Sequence, residues 1–510
     1  MTVRYVERET TPLFKNAAPK IVNGKEKDDR KCMLLWGDRV HVLEEQGSRS
    51  KVFARGQKTP GWVETQDLGD ESLLELYFID VGQGDGVLIR TPDDRHILID
   101  GGWPRRSQPT GKNAADFVDW KFARDYRRKQ IDLDAVICSH NDQDHYGGLW
   151  DLLNPAMSDE LELGEVRVES FFHAGLSWWK RGSKGRTLGT PEPTPQGKMH
   201  TLLLGDRGSA VDAVNPGAAP ALQGEWGKFI DVVTGARRRD GSPTPMSRLG
   251  TPHGPAPVFL PGFGSQDGEV RIRVLAPVEF DVGGRTGIRF FSGGDSKNTN
   301  GNSVLLRVDY GKARILLTGD LNSASQNALL ADYDGRHGEF ACDVAKSCHH
   351  GSDDISFKFM ETLKPAATII SSGDNEGHDH PRPTVVATSA LTGFKEVRGD
   401  KLVTPLVYST ELARSVRLGT PSKLEVLDDA GVVTQTFNRL DFESMRVTSD
   451  EVLAGARNAK SITQAFSSRQ IMTGLIYGLV NVRTDGKKIL CAALDEAEND
   501  WRIETFRARF

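Results

Sequence analysis

Apolar positions in this chain fall into short runs, and one run after another ends in residues able to bind a metal. Val136-Ile137-Cys138 stops at Ser139. His140-Asn141-Asp142-Gln143-Asp144-His145 follows, then Tyr146-Gly147-Gly148 and an apolar restart at Leu149. An apolar run closed by polar residues predicts a buried strand. The glycine pair predicts a turn, with a helix beginning after it. The arrangement recurs along the chain. Residues 74–90 read as strand, Gly-rich turn and strand, and a strand at 96–99 ends in Asp100-Gly101-Gly102. Later strands run into Gly319-Asp320, into His349-His350-Gly351, and into Gly377-His378-Asp379-His380-Pro381. Apolar spacing of the helical kind appears at 113–129, 324–331 and 357–363.

Three flanking regions have other patterns. Residues 1–70 alternate as a small β unit closed by Gly61-Trp62-Val63, and a long stretch at about 155–268 is rich in Gly and Pro. In that stretch the pattern supports only a strand at 166–173 and a short helix at 228–233. Long ordered loops of this kind serve as lids or binding arms. Residues 401–510 carry β-type segments at 402–409, 475–482 and 488–494, the last two joined at Thr484-Asp485-Gly486. Whether this tail extends the main sheet or forms a separate lobe stays open at this level.

Composition narrows the chemistry. The 510 residues are 38% hydrophobic, enough for sizeable cores, and the formal net charge is −5. No overall basic field exists to hold nucleic acid, so a polyanion would be drawn in by local charge or by metals. The five cysteines are odd in number, spread out and without a CxxC pair, which predicts a reduced, cytoplasmic protein. No signal core or membrane-length apolar run is present, so no membrane partner is expected. Gly82-x-Gly84-x-Gly86 fits neither the dinucleotide fingerprint nor a P-loop, and reads as a tight turn beside a site.

Imidazole nitrogen and carboxylate oxygen together suit zinc, manganese or iron. A lone His-x-Asp would read as a solvated loop. Here six of the twelve histidines fall into three strand-end clusters, which surface histidines would not do.

In order along the chain, Phe78-Ile79-Asp80-Val81-Gly82-Gln83-Gly84-Asp85, Leu98-Ile99-Asp100-Gly101-Gly102, the His140 to His145 string, Asn302-Ser303-Val304-Leu305, Thr318-Gly319-Asp320, His349-His350-Gly351-Ser352 and His378-Asp379-His380-Pro381 resemble the metallo-β-lactamase superfamily. Within it they are most similar to the metallo-hydrolase domain of ComEC-type competence proteins. The resemblance covers about residues 73–395; the membrane channel of those proteins has no counterpart here. It implies an α+β, four-layer αββα domain over 73–400, with the insertion at about 155–268 and a C-terminal extension at 401–510. Residues 1–70 resemble a bacterial SH3-type barrel, which implies a protein partner.

The resemblance also implies two divalent metal ions, zinc or manganese. His140 and Asp142 would face the first, Asp144 and His145 the second, with Asp320 between them and His380 as the last ligand. His350 is the competing choice for that place, and His378 a further one. Asp142 stands where the wider family has a second His, and Asn302 near where another family His would be. Asp100 would order the ligand loop, and Asp144 and His350 would assist catalysis. The expected activity is metal-dependent hydrolysis of a phosphodiester, nucleic acid included. The alternatives are hydrolysis of a small ester, lactone or amide, and a non-catalytic protein that keeps the fold.

Overall fold

The computed structural model describes residues 2–18, 20–22, 25–27, 29–108, 111–183, 185–215, 217–265, 268–373, 380–410, 415–428, 431–451, 460–468, 471–476, 478–495 and 500–510. Two sheets lie face to face. One has nine strands in the order Met246–Arg248, Phe171–His173, Ala135–Cys138, His96–Ile99, Val87–Arg90, Leu74–Ile79, Leu479–Thr484, Lys488–Asp495, Asp500–Arg507. The other has seven, in the order Val258–Phe259, Arg271–Ala276, Leu305–Tyr310, Ala313–Leu317, Val344–Lys346, Ala367–Ile370, Leu406–Ser409.

Successive strand residues point to opposite faces. Leu76 and Phe78 therefore pack with Ile137, Ile315 and Val344 between the sheets. Tyr77 and Ile79 turn outward onto Val118 and Phe122. Leu316 and Ala345 do the same on the far side, against Leu329 and Phe359. Both faces of each sheet are covered, which is why the strands read as continuous apolar runs. The layers are helix, sheet, sheet, helix, as expected.

The ligand helix runs Gln143–Leu153 and so begins before Gly147 and Gly148, not after them. The glycines serve packing rather than a turn. A Cβ on Gly148 would lie 2.0 Å from the Gly101 carbonyl oxygen, and one on Gly147 2.3 Å from Pro104. The helix thus sits directly on the turn that carries Asp100.

The insertion is more regular than its composition predicts. Helices Arg207–Val214 and Gly224–Gly235 form in it, and Trp226, Phe229, Ile230 and Val233 are buried. Tyr146 of the ligand helix stacks on Phe229 at 5.0 Å. The expected strand at 166–173 is two strands, because Val166–Val168 pairs with Ile131–Leu133 while Phe171–His173 pairs with Ala135–Cys138.

The tail joins both sheets. Leu479–Thr484 pairs antiparallel with Leu74–Ile79, and Leu406–Ser409 pairs in parallel with Ala367–Ile370. The expected strand at 402–409 breaks at Pro405, whose nitrogen has no proton to give a ladder.

The N-terminal unit is all-β, as expected, with a seven-stranded sheet and a core of Val6, Leu13, Leu34, Val40, Val52 and Val63. Its likeness to SH3-type barrels remains a proposal from sequence. Trp36 packs with Leu490 and Trp501, and a buried ion pair joins Arg483 to Asp38 at 2.8 Å. No helix among the described residues is long and apolar enough to cross a membrane.

Candidate metal centre

The strand ends converge on Asp320. Its Oδ2 lies 2.9 Å from His350 Nε2, 3.2 Å from His145 Nε2 and 3.9 Å from His140 Nε2. Asp142 Oδ2 is 3.7 Å from His140 Nε2, and Asp144 Oδ2 is 3.7 Å from His350 Nε2. Donor atoms of Asp144, His145, Asp320 and His350 all lie within 4.8 Å of one another. Behind them, Asp100 accepts from the Ser139 backbone N–H at 2.7 Å and meets His145 Nδ1 at 2.9 Å. A carboxylate on the far nitrogen of a His fixes its tautomer and aims the other nitrogen at the site.

Local backbone strain aims three of these side chains. Asp100 has φ 57°, and His349 and His350 have φ 47° and 52°. Left-handed φ is uncommon for such residues and persists only where the surroundings impose it. The two histidines leave strand Val344–Lys346 through this turn with His350 buried and His349 lining the cleft.

Charge at the site is dense and mostly sealed. Burial alone would lower His350, but the Asp320 and Asp85 carboxylates raise it to about 10. His145 is likewise lowered by burial and then lifted well above its usual value by Asp320 and Asp100. Asp320 goes the other way: burial raises it, and His350 and His145 bring it well below the carboxylate range. Asp142 is raised to about 7 by burial and by its neighbour Asp144. His140 is held well below its usual value by burial and by His145.

These residues fit a divalent cation. His140 Nε2 and Asp320 Oδ1 are buried with no hydrogen-bond partner. Sealed polar atoms are costly unless something satisfies them. Without a cation, protons on His145 and His350 hold the carboxylates together; these are the protons a metal would displace.

Of the residues singled out from sequence, His140, Asp142, Asp144, His145, Asp320, His350 and Asp100 come together. His380 does not enter the group of close donors. It lines the cleft above them, its ring 5.8 Å from that of His349. His378 lies outside the described residues. Asn302 is not at the site; it donates to the carbonyls of Arg289 and Asn298. Asn300 is there instead, its amide nitrogen 3.0 Å from Asp142 Oδ2 and its oxygen 3.2 Å from His349 Nε2.

Two participants went unnoticed in the sequence. Asp85 lies 3.3 Å from His350 Nδ1 and 2.5 Å from Lys346 Nζ, and Lys346 Nζ is 3.8 Å from Asp320 Oδ1. Asp85 sits in the turn before Val87–Arg90, and Lys346 at the end of Val344–Lys346. Lys346 closes an apolar strand interior, where a charge is out of place unless paired, and that was the available signal.

Above the donors is a cleft of about 570 Å³. The metal loop supplies Asp142 and Asp144, and the insertion supplies Trp178, Arg186 and Trp226. Trp178 Nε1 donates to the Asn141 carbonyl at 3.2 Å, tying the insertion to the metal loop.

Facing sheets between helical layers, with His and Asp donors at adjoining strand ends, define a metallo-hydrolase fold. The sequence model of the metallo-beta-lactamase superfamily matches residues 79–371, more than half of the chain, and the protein belongs to that superfamily. ComE operon protein 3 of Bacillus subtilis (strain 168) is 21% identical over 338 residues, 64% of this chain and 32% of that protein. Competence protein ComA of Neisseria gonorrhoeae is 33% identical over 102 residues, 20% of this chain and 14% of that protein. The chain therefore spans a third or less of the length of these two relatives. Among solved structures, a metal-dependent hydrolase of the beta-lactamase superfamily aligns at TM-score 0.28 and 13% identity, over 66% of this chain and 96% of that one.

Proposed function

We propose that the protein is a metal-dependent phosphodiesterase acting on nucleic acid. The observation that supports it is the donor set: carboxylates of Asp142, Asp144 and Asp320 line the cleft, and His140, His145 and His350 are buried directly behind them. Such a mixed, carboxylate-rich set suits zinc or a harder ion such as manganese. His140 and Asp142 would hold one ion, Asp144, His145 and His350 a second, with Asp320 shared. When bound, the ions supply Lewis acidity toward a phosphoryl oxygen and make water acidic enough to act as nucleophile.

The chain's own groups do the rest. Gln83 Nε2 donates to Asp144 Oδ2 at 3.3 Å and orients that carboxylate toward the cleft, where it takes the proton of the attacking water. His349 lines the cleft with its Nε2–H held by the Asn300 amide oxygen at 3.2 Å, so the departing oxygen takes its proton from water in the cleft. Asp100 keeps His145 aimed, and Lys346 offsets the carboxylates of Asp85 and Asp320. The Trp178 and Trp226 walls limit water on the insertion side.

One observation favours a second reading, hydrolysis of a small ester, lactone or amide: a cleft of about 570 Å³ is of small-ligand size. The test is to measure bound metal, then manganese- and zinc-dependent cleavage of single- and double-stranded DNA, RNA, a generic phosphodiester, a carboxylic ester and a lactone. Asp144→Ala is the control. Diester cleavage lost in Asp144→Ala supports the proposal. Ester or lactone turnover without diester turnover moves the assignment to the second reading. Full metal loading with no hydrolysis would make the protein a non-catalytic member of its fold.

A further inference from the structure

Arg186 is a cation in the cleft that no carboxylate engages. It lies on strand Gly185–Thr187 of the insertion, exposed, and lines the same cleft as Asp142, Asp144 and Asp320. Its guanidinium sits 3.8 Å over the ring of Trp178. Among the described residues it makes no ion pair or hydrogen bond. Four other arginines of the insertion are paired with carboxylates, Arg167 with Glu165, Arg238 with Glu169, Arg239 with Asp134 and Arg248 with Glu279, and Arg207 and Arg237 donate to backbone carbonyls. The cleft's Glu225 is also taken, by Arg106 at 2.7 Å.

Stacking holds a guanidinium by its face and leaves its edge donors free. The stack is also anchored. Trp178 is 5% exposed, and its Nε1 bond to the Asn141 carbonyl fixes it to the residue between His140 and Asp142. Arg186 is therefore an anion-binding fork set at a fixed place relative to the donor group. The donor group would take the phosphate that is cleaved. A second anion is the chemistry that matches the free fork.

We infer that Arg186, backed by Trp178, binds a second phosphate of the substrate, next to the one cleaved. This rests on the phosphodiesterase reading and narrows it. The substrate carries at least two phosphodiester groups, and Arg186 determines specificity rather than chemistry. Isolated diesters and neutral esters would reach the metals without using it.

The experiment compares thymidine oligomers with one linkage (TpT) and two (TpTpT), and bis(p-nitrophenyl) phosphate, in wild type, Arg186→Ala, Arg186→Lys and Trp178→Leu. Wild type is expected to favour TpTpT over TpT by about tenfold or more in kcat/KM. Arg186→Ala should abolish that preference through KM and leave bis(p-nitrophenyl) phosphate within about twofold of wild type. Arg186→Lys should restore only part of it, since the planar fork is lost. Trp178→Leu should lose the same preference and also slow bis(p-nitrophenyl) phosphate hydrolysis, since its bond to the Asn141 carbonyl is lost with the ring. Binding of a fluorescent thymidine octamer to Asp144→Ala, with and without Arg186→Ala, reads the same contact without turnover. The salt slope should fall by about one ion when Arg186 is removed. Diester hydrolysis whose preference does not respond to Arg186, or equal losses on all three substrates, overturns the inference and leaves the phosphodiesterase reading standing. Arg186-dependent binding without hydrolysis of any diester overturns that reading instead.

Discussion

Replacing Asp100 by Asn isolates the contribution of a residue that would touch no metal itself. The change is nearly isosteric, and Asn tolerates the left-handed φ of 57° at this position. Its carbonyl oxygen can still accept the Ser139 N–H now bound at 2.7 Å. Its amide nitrogen then faces His145 Nδ1 across 2.9 Å. An amide N–H needs an acceptor there, so the neutral ring must move its proton to Nε2, the atom that points at Asp320. Metal binding at Nε2 must then reverse the tautomer against the amide. Loss of such a partner lowers metal affinity about 10- to 100-fold, or about 1.4 to 2.7 kcal/mol. The assay is chelator-competition titration with manganese and with zinc at one pH, well below the melting temperature of both proteins. Wild-type affinity in Asp100→Asn for both ions, with the variant folded, would refute the reasoning.

Other changes probe the same centre. Lys346→Met takes from Asp85 its buried partner at 2.5 Å, leaving only His350 Nδ1 at 3.3 Å, and should cost about 3 kcal/mol in urea denaturation of the metal-free protein; unchanged stability would mean the lysine is incidental. Gly148→Ala drives a Cβ into the Gly101 carbonyl and should cost about 3 kcal/mol and weaken metal binding, whereas Gly164→Ala, with open space around it, should do neither. His350 is raised from 6.5 to about 10 in the folded chain, so its stabilisation of the metal-free protein is full below pH 6.5 and fades as pH rises toward 10. The same proton must leave for metal to bind. Affinity should therefore climb over that window, with proton release detectable by calorimetry in buffers of different ionisation heat; pH-independent uptake would contradict it.

Much of the fold was legible because strands buried on both faces write themselves as apolar runs, and ligands sit where those runs end. His140, Asp142, Asp144, His145, Asp100, Asp320 and His350 were each visible as a strand terminus. The helix start was misread because Gly147 and Gly148 look like a turn in isolation. They are small because the Gly101 and Pro104 backbone passes within van der Waals reach, and nothing local records that. Lys346 and Asp85 were missed for a related reason: each is unremarkable alone and becomes a buried pair only when the turn before Val87–Arg90 and the end of Val344–Lys346, 261 residues apart in sequence, come together.

By itself, then, the sequence determined most element types and the inventory of donor atoms, since these follow from local periodicity and side-chain chemistry, while the two-sheet core was implied by the family resemblance. Only the tertiary structure decided which His faces Asp320, how the tail completes both sheets, and that an arginine of the insertion stands unpaired over the metal loop. Those are distances between segments remote in the chain, set by packing rather than by any residue's neighbours in sequence.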